Sequence, residues 1–246
     1  MLTSHHAPAG REESQRVHML RRWLLVVIGC DLGLLFVGAA HYPPFFSMPG
    51  ALGYLAEPVI ALAIYTGAVL ALPPIASRIP HSSVALCVGT TVGLIAGAIE
   101  VMSTALESLV MLPQYVVSVT TGAAMLSLFL LFGVAGFVSS RRTHSFWLGM
   151  GTAIWSAIVA ILIVVTFGFL LVTTSLPQLA RDEIGDPDYL RSAWTDVRAF
   201  AIANTFDSGF THLVESPVIA AMLGAAGSGV GRIGRLRARR RPVPQG

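Results

Sequence analysis

Six carboxylates and one imidazole interrupt stretches that are otherwise apolar: Asp31, Glu57, Glu100, Glu107, Asp207 and Glu215, with His212 close to the last two. An ionised side chain near the middle of a hydrocarbon layer costs roughly 2.5–3.5 kcal/mol on insertion scales, so each of these demands a use or a partner. Spacing sorts them. Glu100 and Glu107 enclose Ser103 and Thr104, which makes one helix face polar for two turns. Asp207, Thr211 and Glu215 follow one another at i, i+4, and Ser208, His212 and Ser216 form a parallel row beside them. Carboxylate, hydroxyl and imidazole on one stripe are the groups that hold a proton or coordinate a cation. No Arg lies within the same apolar stretches to neutralise them. Glu100, His212 and Glu215, with Asp207 and Asp31, are therefore the candidates for proton or cation binding. Glu57 and Glu107 read as interfacial acids. Hard oxygen donors with one imidazole would also suit a divalent cation, though the metal itself is not specified by the residues.

Proline adds a second feature. Glu57-Pro58 and Glu215-Ser216-Pro217 each place a carboxylate next to a residue that frees a backbone carbonyl one turn back, and such a carbonyl can join a cation site. The surrounding segments, 55–60 and 213–219, echo one another, but the match is too short to establish a repeat.

Catalytic patterns are missing. The sequence has no His-Glu-x-x-His, no Gly-x-Ser-x-Gly and no multi-His set for a di-iron centre. All 16 basic residues are Arg, which excludes a Schiff-base lysine and a phosphate-binding loop that depends on Lys. Ser208 and His212 share a helix face, a poor geometry for nucleophilic attack. Cys30 and Cys87 both lie in apolar runs and imply no disulfide framework.

The elements that must position these residues are membrane helices. The chain has 246 residues, 54% hydrophobic and only 12% charged, with a mean hydropathy of +0.71. A soluble domain carries about 25% charged residues, so this chain lacks the polar surface for water. Runs of about 20 apolar residues fall at 23–40, 52–72, 84–106, 115–138, 146–173 and 206–227. The expected fold is all-α, a polytopic bundle of six spans in one domain over 23–230. A polar tail over 1–22 precedes it, with Met1–His18 unstructured, and an Arg-rich tail over 231–246 follows it.

The Arg residues orient this bundle. Arg11, Arg16, Arg21, Arg22, Arg78, Arg141, Arg142 and the six between 232 and 241 fall on one side, 13 in all, against Arg181, Arg191 and Arg198 on the other. The positive-inside rule then puts both termini in the cytoplasm of a bacterial inner membrane. Arg21-Arg22-Trp23 resembles an export signal, but removing the first span would upset that count, so an uncleaved helix is expected. In this orientation most of the acids fall in the outer half of the bundle. The Arg residues sit at span ends and form no folded basic face, so no nucleic acid is implied despite a pI near 9.2. The C-terminal tail reads first as a topology anchor, second as a contact for anionic lipid or a protein partner.

One external element is expected between spans five and six, in a loop over 175–205. Asp186-Pro187-Asp188 is a strong helix start. An apolar stripe through Tyr189, Trp194 and Phe200 to Ala201 would make an amphipathic helix lying on the membrane rim. Gly89, Gly93 and Gly97 on the third span would let helices pack closely, and Gly227-Ser228-Gly229 would end the sixth. The functional expectation is a transport-type or proton/cation-responsive membrane protein. The rivals are a non-catalytic subunit that holds a partner and, behind it, a membrane-embedded hydrolase.

Overall fold

A computed structural model describes residues 9–76, 79, 81–110 and 112–239. Among them every regular element is helical: α1 (Ala9–His41), α2 (Ala51–Ala76), α3 (Ser82–Leu109), α4 (Gln114–Thr143), α5 (Phe146–Thr174), α6 (Leu176–Glu183), α7 (Pro187–Arg191) and α8 (Val197–Arg239), with a short 3-10 turn at Pro43–Ser47. Six of these helices are long and apolar enough to cross a membrane, and they coincide with the six apolar runs of the sequence. The protein is thus built as a multi-pass membrane protein.

Helix α5 is the axis of the bundle. It packs against α1, α3, α4 and α8. Of its apolar window 56% is buried, against 22–33% for the other five spans. Its sequence, FWLGMGTAIWSAIVAILIVVTFGFLLVTT, is apolar on every face, which is what a helix surrounded by helices requires. The outer helices turn Val26, Phe36, Ile60, Ile64, Met102, Leu126, Leu130 and Met222 outward, as lipid-facing surfaces do.

Glycine sets how closely the helices approach α5. A methyl group on Gly89 would lie 2.9 Å from the Thr152 carbonyl oxygen, one on Gly93 2.6 Å from that of Ser156, and one on Gly97 3.1 Å from that of Ala160. Helix α3 therefore lies backbone to backbone along α5, as its glycine spacing suggested. At the end of the bundle where α4 stops and α5 starts, Gly136 abuts Gly224, and Gly227 abuts Gly133.

That contact corrects one expectation. Gly227-Ser228-Gly229 does not end the last helix, because Gly227 and Ser228 are held against α4. Ser228 Oγ donates to the Gly136 carbonyl (3.2 Å), and Ser140 Oγ donates to the Ser228 carbonyl (3.1 Å). The glycine serves packing, and α8 runs on to Arg239, 43 residues in all. At 1.5 Å per residue that is roughly 65 Å, about twice the hydrocarbon thickness. Arg232, Arg235, Arg237 and Arg239 are on this helix, whereas residues 240–246 lie outside the described residues, as do Arg78 and residues 1–8.

Two further expectations change. The stretch before Trp23 is not unstructured throughout: α1 starts at Ala9 and continues its helix through the first apolar run. The amphipathic helix starts where expected, with Asp186 as the cap accepting from the Asp188 N–H at 2.6 Å and Pro187 in the first turn, but it ends at Arg191. The chain opens over 192–196 because Ser192 and Asp196 take backbone N–H groups onto their side chains. Asp196 then caps α8, so Phe200 and Ala201 belong to the last span. Trp194 is no interfacial anchor. It is buried against Phe45, Tyr54 and Phe200, in a ring cluster that closes this end of the bundle.

Candidate functional site

Three helices contribute one stripe each, and a fourth a single residue, to a cavity of about 110 Å³. Helix α4 supplies Met125, Leu128, Phe129 and Phe132; α5 supplies Ala157, Ala160, Ile161 and Val164; α8 supplies His212, Glu215, Ser216 and Ile219; and α3 supplies Glu100. Each set follows the i, i+3, i+4, i+7 spacing of a single helix face. The cavity therefore gathers three residues that the sequence placed on two distant segments: Glu100, His212 and Glu215.

Helix register explains how they meet. Glu100 follows Gly97 by three residues, and Gly97 rests on Ala160 and Ile163 of α5. Across the bundle, Gly209 of α8 rests on Phe169 and Val165, and Gly224 rests on Ala153 and Met150. His212 and Glu215, between those two glycines, come level with the same middle turns of α5. The cluster is thus level with the middle turns of α5 (Phe146–Thr174).

Within the cavity Glu100 is half-buried, and its Oε2 is sealed from solvent without a hydrogen-bond donor. His212 and Glu107 are the charged or titratable groups that bear on it electrostatically. Helices α4 and α5 offer only apolar side chains there. Glu215 is exposed at the mouth, beside the outward-facing Val214, Val218 and Met222. The cavity therefore opens sideways, toward where lipid would lie. Among the described residues no three His, Cys, Asp or Glu side chains come together closely enough for a metal ion's coordination shell.

The other two candidates lie elsewhere. Asp31 is fully buried between α1 and α5, where it accepts the Thr166 hydroxyl at 2.5 Å, and its Oδ2 has no partner. It does not line this cavity and does not meet Glu100, His212 or Glu215 there. Asp207 is half-exposed on α8 beyond the Phe169 contact, outside the cavity lining. Glu57 and Glu107 are both exposed.

Pro217 behaves differently from its sequence reading. Lacking an N–H, it frees the Leu213 carbonyl. That oxygen accepts the Tyr65 hydroxyl of α2 at 2.7 Å. The carbonyl is thus occupied by protein and contributes nothing to a cation site. Sequence reasoning missed Tyr65 and Thr166, single polar side chains in runs that otherwise read as apolar. It also missed the α4 wall, although Met125, Leu128, Phe129 and Phe132 are spaced as one face.

Comparison with models of protein families, with curated proteins and with solved structures finds no match for this chain.

Proposed function

We propose that the protein is a transport-type membrane protein whose activity depends on proton or cation occupancy of Glu100, His212 and Glu215. The observation that carries this reading is their convergence on one cavity at the middle of the bundle. A carboxylic oxygen without a donor, an imidazole and a second carboxylate at the mouth form a short relay between the interior and the membrane-facing surface. A proton fits this arrangement better than a divalent ion, because it needs no coordination shell of three or more ligands. In the same reading the protein sits in a bacterial inner membrane with its Arg-rich ends in the cytoplasm.

Reconstitution into liposomes tests it. Vesicles carrying the protein should dissipate an imposed pH gradient, or take up a monovalent cation, faster than empty vesicles. Glu100→Gln and Glu215→Gln should remove that excess while keeping the helical content and thermal unfolding of the parent. Properly folded variants with parental flux, or a parent no faster than empty vesicles, would end the proposal.

A further inference from the structure

The same cavity has walls of a particular chemistry, and the walls identify a ligand class. Nine of its 13 lining residues are apolar, among them the rings of Phe129 and Phe132. The remaining four are Glu100, His212, Glu215 and Ser216, and no Arg faces them from any of the four helices. Its volume of about 110 Å³ is somewhat less than the roughly 150 Å³ at which an apolar cavity accepts a benzene ring. It thus has room for the head of a ligand but not its whole body, and the lateral mouth leaves a tail in the lipid. Phe129 at the mouth is 39% exposed and Met125 49%, so an apolar tail would continue along α4.

From these features we infer that the cavity takes the head group of an amphipathic organic ammonium ion, which enters from the membrane and replaces a proton at the two cavity-lining carboxyls, Glu100 and Glu215. Two carboxylates supply charge, and phenyl faces are attractive to an alkylated ammonium, which loses little hydration on entry. An anion would meet only carboxylates and one imidazole. A small hydrated metal ion would have to surrender its water to mostly apolar walls. A neutral alcohol would leave the carboxyl groups as they are. This inference rests on the proposed proton/cation role of the same residues. Titration at the site involves Glu100 and Glu107 from α3 and His212 and Glu215 from α8; α4 and α5 bring no titratable side chain to it.

Carbodiimide labelling separates the two ideas. Dicyclohexylcarbodiimide partitions into bilayers and reacts with a protonated carboxyl, whose O–H adds across one C=N bond before rearrangement to a stable N-acylurea. The full-length protein in nanodiscs is labelled across a range of pH, and the modified residues are read by mass spectrometry. Glu215 and Glu100 should be labelled in acid and spared as pH rises. Octyltrimethylammonium, below its micellar concentration, should slow labelling by tenfold or more, whereas octanol and octanoate should not. Glu100→Gln, read on Glu215, should weaken that protection about tenfold, the factor expected for a lost contact of ordinary strength. Should that variant not fold, Phe129→Leu should weaken protection severalfold through the lost ring face while leaving the pH dependence of labelling intact.

Labelling that depends on pH but is unaffected by octyltrimethylammonium would overturn the ligand assignment and leave the proton role standing. Equal protection by octanol would overturn it too, reducing the effect to filling of an apolar space. Labelling of neither glutamate at any pH would overturn both.

Discussion

Three helices, α4, α5 and α8, are arranged in two ways along their length. At one end they touch backbone to backbone: Gly136 on Gly224, Gly227 on Gly133, and Gly149 beside Ser228. Nine residues further along α8, roughly 13 Å, the same helices stand apart around the cavity. The sequences at the two levels differ most on α4. Glycine and serine occupy the seam, while Met125, Leu128, Phe129 and Phe132 occupy the cavity wall. Small residues draw helix backbones together where hydrocarbon gives no other reason to associate. Bulky ones prop them apart, and the polar stripe of α8 faces the space so made. Close contact at the seam fixes the register that puts Glu215 and Glu100 on the same level.

The largest expected effect comes from breaking the seam. A Cβ on Gly224 already collides with the Ala153 side chain, and the Met150 carbonyl lies 3.3 Å away. Gly224→Leu should cost about 3 kcal/mol or more, or abolish the folded protein, as overpacking against backbone does. Thermal unfolding in detergent is the measurement. Gly151→Ala is the matched control, because nothing lies within 4 Å of the added methyl. It should unfold at or slightly above the parental temperature, given the better helix propensity of Ala. Equal behaviour of the two variants would mean that the seam at Gly224 is not tightly packed.

A smaller effect tests the join between α2 and α8 at the cavity level. Tyr65→Phe leaves the Leu213 carbonyl without its donor in a buried site, at a cost of about 1–3 kcal/mol. Pro217→Ala restores an N–H one turn on, so in the Pro217→Ala background the same Tyr65→Phe change should cost much less. A double-mutant cycle on unfolding free energy measures the difference. Additive costs would show that Tyr65 stabilises by packing alone, not by satisfying the carbonyl that proline frees.

How far the sequence foretold these two levels depends on the range of the interactions. Spans were readable because each is a local property of some 20 residues, and the Gly89/Gly93/Gly97 stripe because its period is that of one helix. Glu100, His212 and Glu215 could be singled out by their cost in an apolar run. Their convergence could not be deduced, since it depends on register between helices more than 100 residues apart in the chain. The errors have the same origin. Gly227 and Gly229 have the local chemistry of a helix end, yet contact with α4 keeps the helix intact. Asp31 has the same local signature as Glu100, and only packing shows that one is sealed against Thr166 while the other borders open space. Trp194 reads as a membrane anchor by type, and the rings of the distant Phe45 and Tyr54, with that of Phe200, bury it instead.

A filling substitution sharpens the comparison from the cavity side. Ser216 lines the cavity and is half-exposed. Ser216→Leu adds apolar volume to existing space, so stability should shift by no more than about 1 kcal/mol. Flux across reconstituted vesicles should nonetheless fall, because the added side chain stands between His212 and the mouth. A loss of stability as large as that of Gly224→Leu would mean the cavity level is as tightly packed as the seam. Unchanged flux would detach the cavity from activity.

The smallest effect lies at the far end of the bundle, where the cavity should feel nothing. Asp196 Oδ2 accepts the Tyr42 hydroxyl at 2.7 Å, while its Oδ1 accepts the N–H groups of Arg198 and Ala199 at 2.9 and 3.1 Å. Burial alone would push this carboxyl up, but the Tyr42 hydroxyl and the two backbone donors outweigh it and hold Asp196 below its ordinary 3.8. The bond to Asp196, with burial and the negative charge beside it, holds the Tyr42 hydroxyl above its ordinary 10.0. For the acid, the contribution to stability is present above 3.8 and is lost as pH falls through the lower folded value. For the phenol, it is present below 10.0 and is lost as pH rises through the raised one. Tyr42→Phe should therefore lower the plateau between these limits by less than about 1 kcal/mol, since the pair is largely solvated. It should also flatten the alkaline limb, while the acid limb persists in weaker form through Arg198 and Ala199. Unfolding temperature as a function of pH gives both limbs, and an unchanged alkaline limb would mean that Tyr42 does not donate to Asp196. Carbodiimide labelling of Glu215 in Tyr42→Phe should match the parent. A changed labelling profile would instead couple this latch to the cavity.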